Sequence, residues 1–389
     1  MNNNYKIGKV EAIFAISIVM VNRIILNLPY SILENTGTGS VLNLIYIGII
    51  GLALVLIINK LFKAFPSSDI IDLAEFSGGN IFKIIISIFF ICLLFLTLFS
   101  TVIDFTNLLK VIYFHRSPVI FLVLFFILAL LISNIIGLRS IAKTISIVLP
   151  LTVISILFSF GAVFDTISID SFTPILGDGY KSVFVNGLTN LFSFSIIVFF
   201  FFFKPLLKNS FDFPKVTIIS FVISWILLLL TILSLLIAFP AIHASSNLNF
   251  LYSLARKIEL GNFLQRLDAL FIILWILCVF SYVSIITFII TTLFKKITLS
   301  TERNMFAYLV AIILLGLSLL PINIAQIKFI QGTIYKYIIL SAFALRNTCF
   351  NSCELKIQIY SKKSEETNDK KTFYRIYFNL FPIYTYWLL

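Results

Sequence analysis

In the first apolar run of the chain, residues 11–33, one cation stands among hydrocarbon side chains: Arg23, flanked by Asn22 and followed by Asn27 and Pro29. A guanidinium in hydrocarbon costs several kcal/mol unless it faces a cavity or a partner, so Arg23 marks a candidate binding site. Arg23 and Asn27 are four residues apart and share one helix face. Pro29 lacks an amide hydrogen and clashes with the turn before it, which predicts that the first helix is interrupted. An interruption of this kind exposes amides and carbonyls at membrane depth, where they can hold a small polar solute. In a second reading Arg23 snorkels outward, or pairs with Glu34 or Asp104 to hold helices together. The residues alone leave both open.

A matching pattern opens the sixth run. Asn186, Gly187, Thr189, Asn190, Ser193 and Ser195 precede an apolar stretch that ends in five Phe and Lys204-Pro205. Small and amide side chains at that density predict a cavity or a second break, while the Phe stretch reads as lipid-facing or packing surface. The candidate ligand-binding set is therefore Asn22, Arg23, Asn27, Asn190, Ser193 and Ser195. A polar stripe of Thr97, Ser100, Thr101, Asp104 and Asn107 places most of its members on one helix face. It either lines a vestibule or supplies hydrogen bonds between helices. Pro29 and Asp104 join the set as gating or structural candidates.

Other chemistry finds little support. No nucleophile and base pair, phosphate loop or metal cluster is legible, so no enzyme, cofactor or metal is expected. Cys92 and Cys278 fall in apolar runs and read as buried thiols, while Cys349 and Cys353 lack the further ligands that a zinc site needs. His115 and His243 fall near predicted loops. All 17 acids fall at run ends or in loops, which disfavours a proton relay through the bilayer.

These residues must be held by membrane helices. The 389 residues are 60% hydrophobic and only 12% charged, with 43 Phe, far from the composition of a soluble domain. Apolar runs long enough to cross a bilayer recur near 11–33, 41–62, 82–103, 118–137, 144–164, 186–203, 216–240, 269–294 and 304–321, with a shorter tenth at 333–345. The transmembrane domain is expected over 1–345, followed by a divergent cytoplasmic tail over 346–389. No cleavage site follows the first run, so it is expected to remain as a span. With the N-terminus inside, thirteen cations fall in inside segments against seven outside, and the tail adds seven more inside. That bias predicts both termini in the cytoplasm and accounts for the net charge of +12 without nucleic acid. Ser68–Phe76 and Leu248–Leu260 read as short helices on the membrane surface, the first on its cytoplasmic side, and Ser171–Tyr180 as turn-rich; plain connector packing is the alternative for all three.

Several motifs taken together resemble the B subunit of the spore-germination nutrient receptor, an amino acid permease-like family. They are Leu28-Pro29, Phe65-Pro66 before SDIIDLAEFSGG, Ser117-Pro118 leading to IIGLRSIAKTISIVLP, FTPILGDG at 172–179, and ARKIELGNFLQRLDALFIILW at 255–275. The resemblance covers about residues 5–345. It implies an all-α fold like the amino acid–polyamine–organocation (APC) carriers and LeuT, with about ten spans in two inverted five-helix repeats. The first and sixth helices would be broken around a midplane pocket at Asn22–Asn27 and Asn190–Ser195. It also implies an A subunit and a lipoprotein C subunit as partners in the spore inner membrane, and an amino acid or similar nutrient as ligand. Gly261, Arg266 and Asp268 match the family's eighth-span motif, where they either orient the span or contact ligand. The chain departs from the family at Asn22-Arg23, where relatives often have Gly, and in the short tenth run with its tail rich in Asn, Cys, Lys and aromatics. A frameshift or a divergent terminus would explain that ending. The function expected is germinant sensing; the alternative is a secondary transporter of amino acids or related solutes.

Overall fold

The computed structural model describes residues 6–26, 28–63, 65, 68–161, 173–177, 179–194, 196–239, 250–256, 268–298, 300, 302–320 and 326. The first half of the chain comprises α1 (Lys9–Ile25), α2 (Leu28–Thr36), α3 (Ser40–Lys63), α4 (Ile70–Ile112), α5 (Val119–Ile136) and α6 (Leu138–Gly161). The second comprises α7 (Tyr180–Phe184), a 3₁₀ segment Asn186–Ser193, α8 (Ile196–Phe203), α9 (Phe213–Ala238), α10 (Phe250–Arg256), α11 (Asp268–Thr298) and α12 (Arg303–Ser318). By length and composition, seven helical stretches among the described residues are long and apolar enough to cross a bilayer. The chain is a polytopic all-α membrane protein. The run at 333–345 and the tail at 346–389 lie outside the described residues.

Both predicted interruptions are present. α1 stops at Ile25, where the Leu26 amide still bonds back to the Asn22 carbonyl at 3.3 Å, and α2 restarts at Leu28. Pro29 occupies the first turn of α2, where a missing amide hydrogen leaves no helix bond unmade. In the second half the 3₁₀ segment ends at Ser193 and α8 begins at Ile196. The same device therefore opens the first and the sixth spans, as an inverted repeat of five helices requires.

Packing explains which elements hold the breaks in place. α1 lies against α9, α6 and α11, and α11 in turn lies against α6, α4 and α5. With lipid outside, helices gain little from the hydrophobic effect and depend on close van der Waals contact, which small residues permit. At the α3–α9 contact a Cβ on Gly48 would stand 2.0 Å from the Trp225 ring, and one on Gly51 would stand 2.6 Å from Phe221. The Trp225 indole donates to the Leu44 carbonyl at 2.9 Å across the same seam. Every residue from Phe199 to Phe203 is buried, so the Phe stretch is interior packing rather than lipid surface.

Two expectations change. The segment beginning at Ser68 is helical and capped by Asp69, but it runs on into α4 through a kink at Gly79, with φ 74°. Its apolar residues Ile70, Ile71, Leu73 and Ala74 are buried within the protein, so its apolar face is packed as a connector rather than turned to lipid. Likewise α10, the described part of the second segment, packs Leu251, Leu254 and Ala255 inward, in contact with α9 and α11. In both cases the apolar face found protein before lipid.

Candidate functional site

The two breaks face each other. Arg23, in the last turn of α1, directs Nη1 at the carbonyl of Ser193, the last residue of the 3₁₀ segment, at 3.5 Å. Buried Tyr282 of α11 lies within electrostatic reach of Arg23 and beside Thr97 and Thr101 of α4. Four elements thus converge: the ends of both broken halves, the third span and the eighth. Thr97, Ser100 and Thr101 are buried, which places this part of the predicted stripe inside the protein. Tyr282 had no sequence signal, since a lone Tyr in an apolar run is indistinguishable from packing.

Asn22, next to Arg23, is fully buried, and neither its Nδ2 nor its Oδ1 has a hydrogen-bond partner. An unmet buried polar group costs about 1–3 kcal/mol, so this amide keeps its NH₂ donors and its carbonyl acceptor in want of a partner. Arg23 and Ser193 are therefore brought together, with Asn22 next to Arg23 in the chain. Asn27 and Ser195 lie outside the described residues, as do Gly261 and Arg266. Asp104 lies about one turn past Ser100 and Thr101 on α4 and is partly exposed. Asp268 is buried at the start of α11 and accepts from the Tyr252 hydroxyl of α10 at 3.2 Å, which ties α10 to the head of that span.

Asn190 has a different setting. Its Oδ1 accepts from Asn35 Nδ2 of α2 at 2.8 Å, and its Nδ2 donates to Asn43 Oδ1 of α3 at 2.9 Å. Asn43 Nδ2 then donates to the Val183 carbonyl of α7 at 2.7 Å. This ladder of three amides joins the first, second and sixth spans. Gly187 belongs to it sterically, because a Cβ there would stand 2.1 Å from Asn43 Nδ2. Ser182 adds a bond to the Asn35 carbonyl at 3.0 Å. Asn190 therefore fixes the 3₁₀ segment that presents Ser193.

At the opposite end the lysines gather, and the chain is closed by a second group of contacts. The Ile7 amide donates to the Leu206 carbonyl at 2.9 Å, and the Lys208 amide donates to the Ile7 carbonyl at 3.0 Å. Lys204, buried at the foot of α8, donates to the Phe62 carbonyl and stands 5.7 and 5.6 Å from the ring centres of Phe62 and Phe213. Lys296 near the end of α11 reaches Asp69 Oδ2 at 2.6 Å and Asp72 Oδ1 at 2.7 Å. Burial and the neighbouring Asp72 carboxylate raise Asp69 to about 6, against the opposing pull of Lys296.

Paired breaks at the first and sixth spans, buttressed by the third and eighth, define an APC/LeuT-like membrane protein. The crystal structure of MhsT in complex with L-phenylalanine has this fold: it aligns over 89% of this chain and 94% of that one, with a TM-score of 0.64 at 15% identity. Residues 6–327 match the spore permease family model, described as spore germination protein. The chain belongs to that family. Spore germination protein A2 of Bacillus subtilis (strain 168) is 27% identical over 258 residues, covering 64% of this chain and 68% of the relative.

Proposed function

We propose that this protein is the membrane subunit of a germinant receptor, binding a small polar nutrient, an amino acid by preference, between its two broken helices. Occupancy shifts the protein between conformations and signals germination through an A subunit and a lipoprotein C subunit. It sits in the spore inner membrane with both termini in the cytoplasm, and it catalyses no covalent step. The observation that carries the reading is the Arg23 guanidinium at the Ser193 carbonyl, one cation set where both backbone breaks meet. The start of α2 adds the positive end of a helix dipole, so a carboxylate suits the position. The neighbour of like fold was crystallised with an amino acid, L-phenylalanine. A ligand shifts two states only by its affinity difference between them, so contacts made at a break that changes shape suit signalling.

The test is germination of spores carrying Arg23→Leu, with protein abundance held equal by immunoblot, on a panel of single L-amino acids. Loss of a charge-assisted hydrogen bond, about 1.5–3 kcal/mol, predicts a rise of roughly 10- to 100-fold in the concentration needed for half response. Unchanged responses to every amino acid that triggers the parent would refute the pocket. The paired breaks also favour a second reading, secondary transport of the same solutes. Saturable counterflow of a labelled amino acid in proteoliposomes separates it from sensing alone.

A further inference from the structure

Five lysines crowd one corner of the lysine-rich end. Lys60 and Lys63 stand at the end of α3, Lys208 and Lys215 flank the turn from α8 to α9, and Lys6 precedes α1. Three separate contacts gather the backbones that carry them. The Ile7 amide and carbonyl are bonded to Leu206 and Lys208, which seats Lys6 beside Lys208. The ring centres of Phe62 and Phe213 are 5.5 Å apart, which brings Lys63 to the start of α9. Thr217 donates to Asn59 Oδ1 at 2.8 Å, which does the same for Lys60. The contacting side chains of Asn59, Phe62, Phe213 and Thr217 are buried, while Lys60, Lys63, Lys208 and Lys215 are exposed and Lys6 is half-buried.

Two features set this corner apart from ordinary solvated surface. None of the five lysines is in an ion pair among the described residues, whereas Lys83 and Lys296, on α4 and α11, are bonded to carboxylates. Between Lys204 and Thr217 the sole acid is Asp212. Like charges held side by side repel one another until an anion comes between them. In their midst Phe211 is 75% exposed, on a 3₁₀ turn, Ser210–Asp212, that the Asn209 side chain caps by accepting from the Phe211 amide at 3.2 Å. An aromatic ring so placed is unfavourable in water. At headgroup level it can enter the acyl boundary while the lysines beside it reach up to phosphates.

We propose that this corner is a binding site for anionic phospholipid: the lysines take the headgroup phosphates of the adjoining leaflet, and Phe211 anchors the turn among the upper acyl carbons. The cations are assembled before lipid arrives, so little ordering is left for binding to supply. Their attraction for an anionic surface falls off within a Debye length, so charge at this corner decides the effect, not the net charge of +12. A free phosphate ion would meet one or two of the lysines, whereas neighbouring lipids meet them all and also accept the ring. Lipid binding here is independent of the solute held between the helix breaks.

The test is native mass spectrometry of the full-length protein in a non-ionic detergent, titrated with dioleoylphosphatidylglycerol or dioleoylphosphatidylcholine. The parent should bind phosphatidylglycerol about tenfold or more tightly than phosphatidylcholine. Lys60→Gln, Lys63→Gln, Lys208→Gln and Lys215→Gln together should bring that preference down to about twofold or less. A control carrying Lys110→Gln, Arg116→Gln, Lys181→Gln and Lys295→Gln removes the same charge elsewhere and should keep it. Phe211→Ala should weaken both lipids and leave the preference intact. An equal loss in the control would show that net charge alone attracts the lipid, and no preference in the parent, or an unchanged one in the quadruple variant, would equally overturn the site. So would displacement of phosphatidylglycerol by equimolar inorganic phosphate, which would make the corner a site for a soluble anion. Should the quadruple variant fail to fold by size-exclusion chromatography, the four single variants decide: a lowered preference in them supports the site, and an unchanged one in all four overturns it.

Discussion

The amide ladder makes a quantitative prediction. Asn190→Ala removes the acceptor for Asn35 Nδ2, at 2.8 Å, and the donor to Asn43 Oδ1, at 2.9 Å. Polar contacts between membrane helices average about 0.6 kcal/mol, whereas a buried group left wholly unmet costs about 1–3 kcal/mol. Two lost bonds at such a site therefore predict a loss of about 1–4 kcal/mol. Asn43→Ala also breaks two bonds, one of them shared with Asn190 and the other to the Val183 carbonyl at 2.7 Å. Because each single variant already loses the shared bond, the double variant should lose about 1 kcal/mol less than the sum of the singles. The assay is reversible unfolding of the purified protein in mixed detergent micelles, followed by the helix signal in circular dichroism. A coupling energy below about 0.3 kcal/mol would refute the claim that the amides act as a unit, since independent sites add to within roughly that margin. The functional corollary is a weakened response in Asn190→Ala spores, because the ladder holds the segment that presents Ser193 to Arg23.

Two further perturbations probe the packing and the buried carboxyl of Asp69. Gly48→Ala would drive a methyl into the Trp225 ring, 2.0 Å from the Cβ position, so a destabilisation of about 1–3 kcal/mol is expected, relieved when Trp225→Leu is added; the same unfolding assay checks both. The raised Asp69 carboxyl, at about 6, predicts that the folded protein gains stability as pH falls through about 6 and loses it as pH rises, because its neutral form is favoured when buried. The charged groups facing Asp69 are Asp72 on its own element and Lys296 on α11. The stability difference between Asp69→Asn and the parent in the same unfolding assay should shrink between pH 7 and pH 5, and a constant difference would show that Asp69 does not carry the effect.

What the sequence revealed and what it hid follow one physical rule. Arg23 and Pro29 were legible because their costs are local: a cation has no place in hydrocarbon, and an imide cannot continue a helix. The density of small and amide residues at 186–195 was legible for the same reason, and it located the second break. Asn35 and Asn43 gave no signal, since each is a single amide at the edge of an apolar run, with Asn190 155 and 147 residues away. Ser68–Phe76 showed its cap and its apolar spacing, but those features are equally consistent with lipid and with protein beneath it. What decides between them is Lys296, 227 residues beyond Asp69. Asn190 was legible as polar and buried, but not as a strut, because its role lies in its partners.

The two ends of the protein are built from different interactions, and the difference indicates where it moves. Around the breaks, α2, α3, α7 and the 3₁₀ segment are joined by directional amide bonds with glycine contacts between them, an arrangement that has to move as one body or break several bonds at once. At the lysine-rich end, directional bonds tie Ile7 and Phe62 to the foot of α8 and Lys296 to the head of α4, while the contacts between these two groups are chiefly apolar. Rearrangement therefore costs most across the amide ladder, where several bonds must break together, and least along the apolar contacts, which can slide without leaving a polar group unmet.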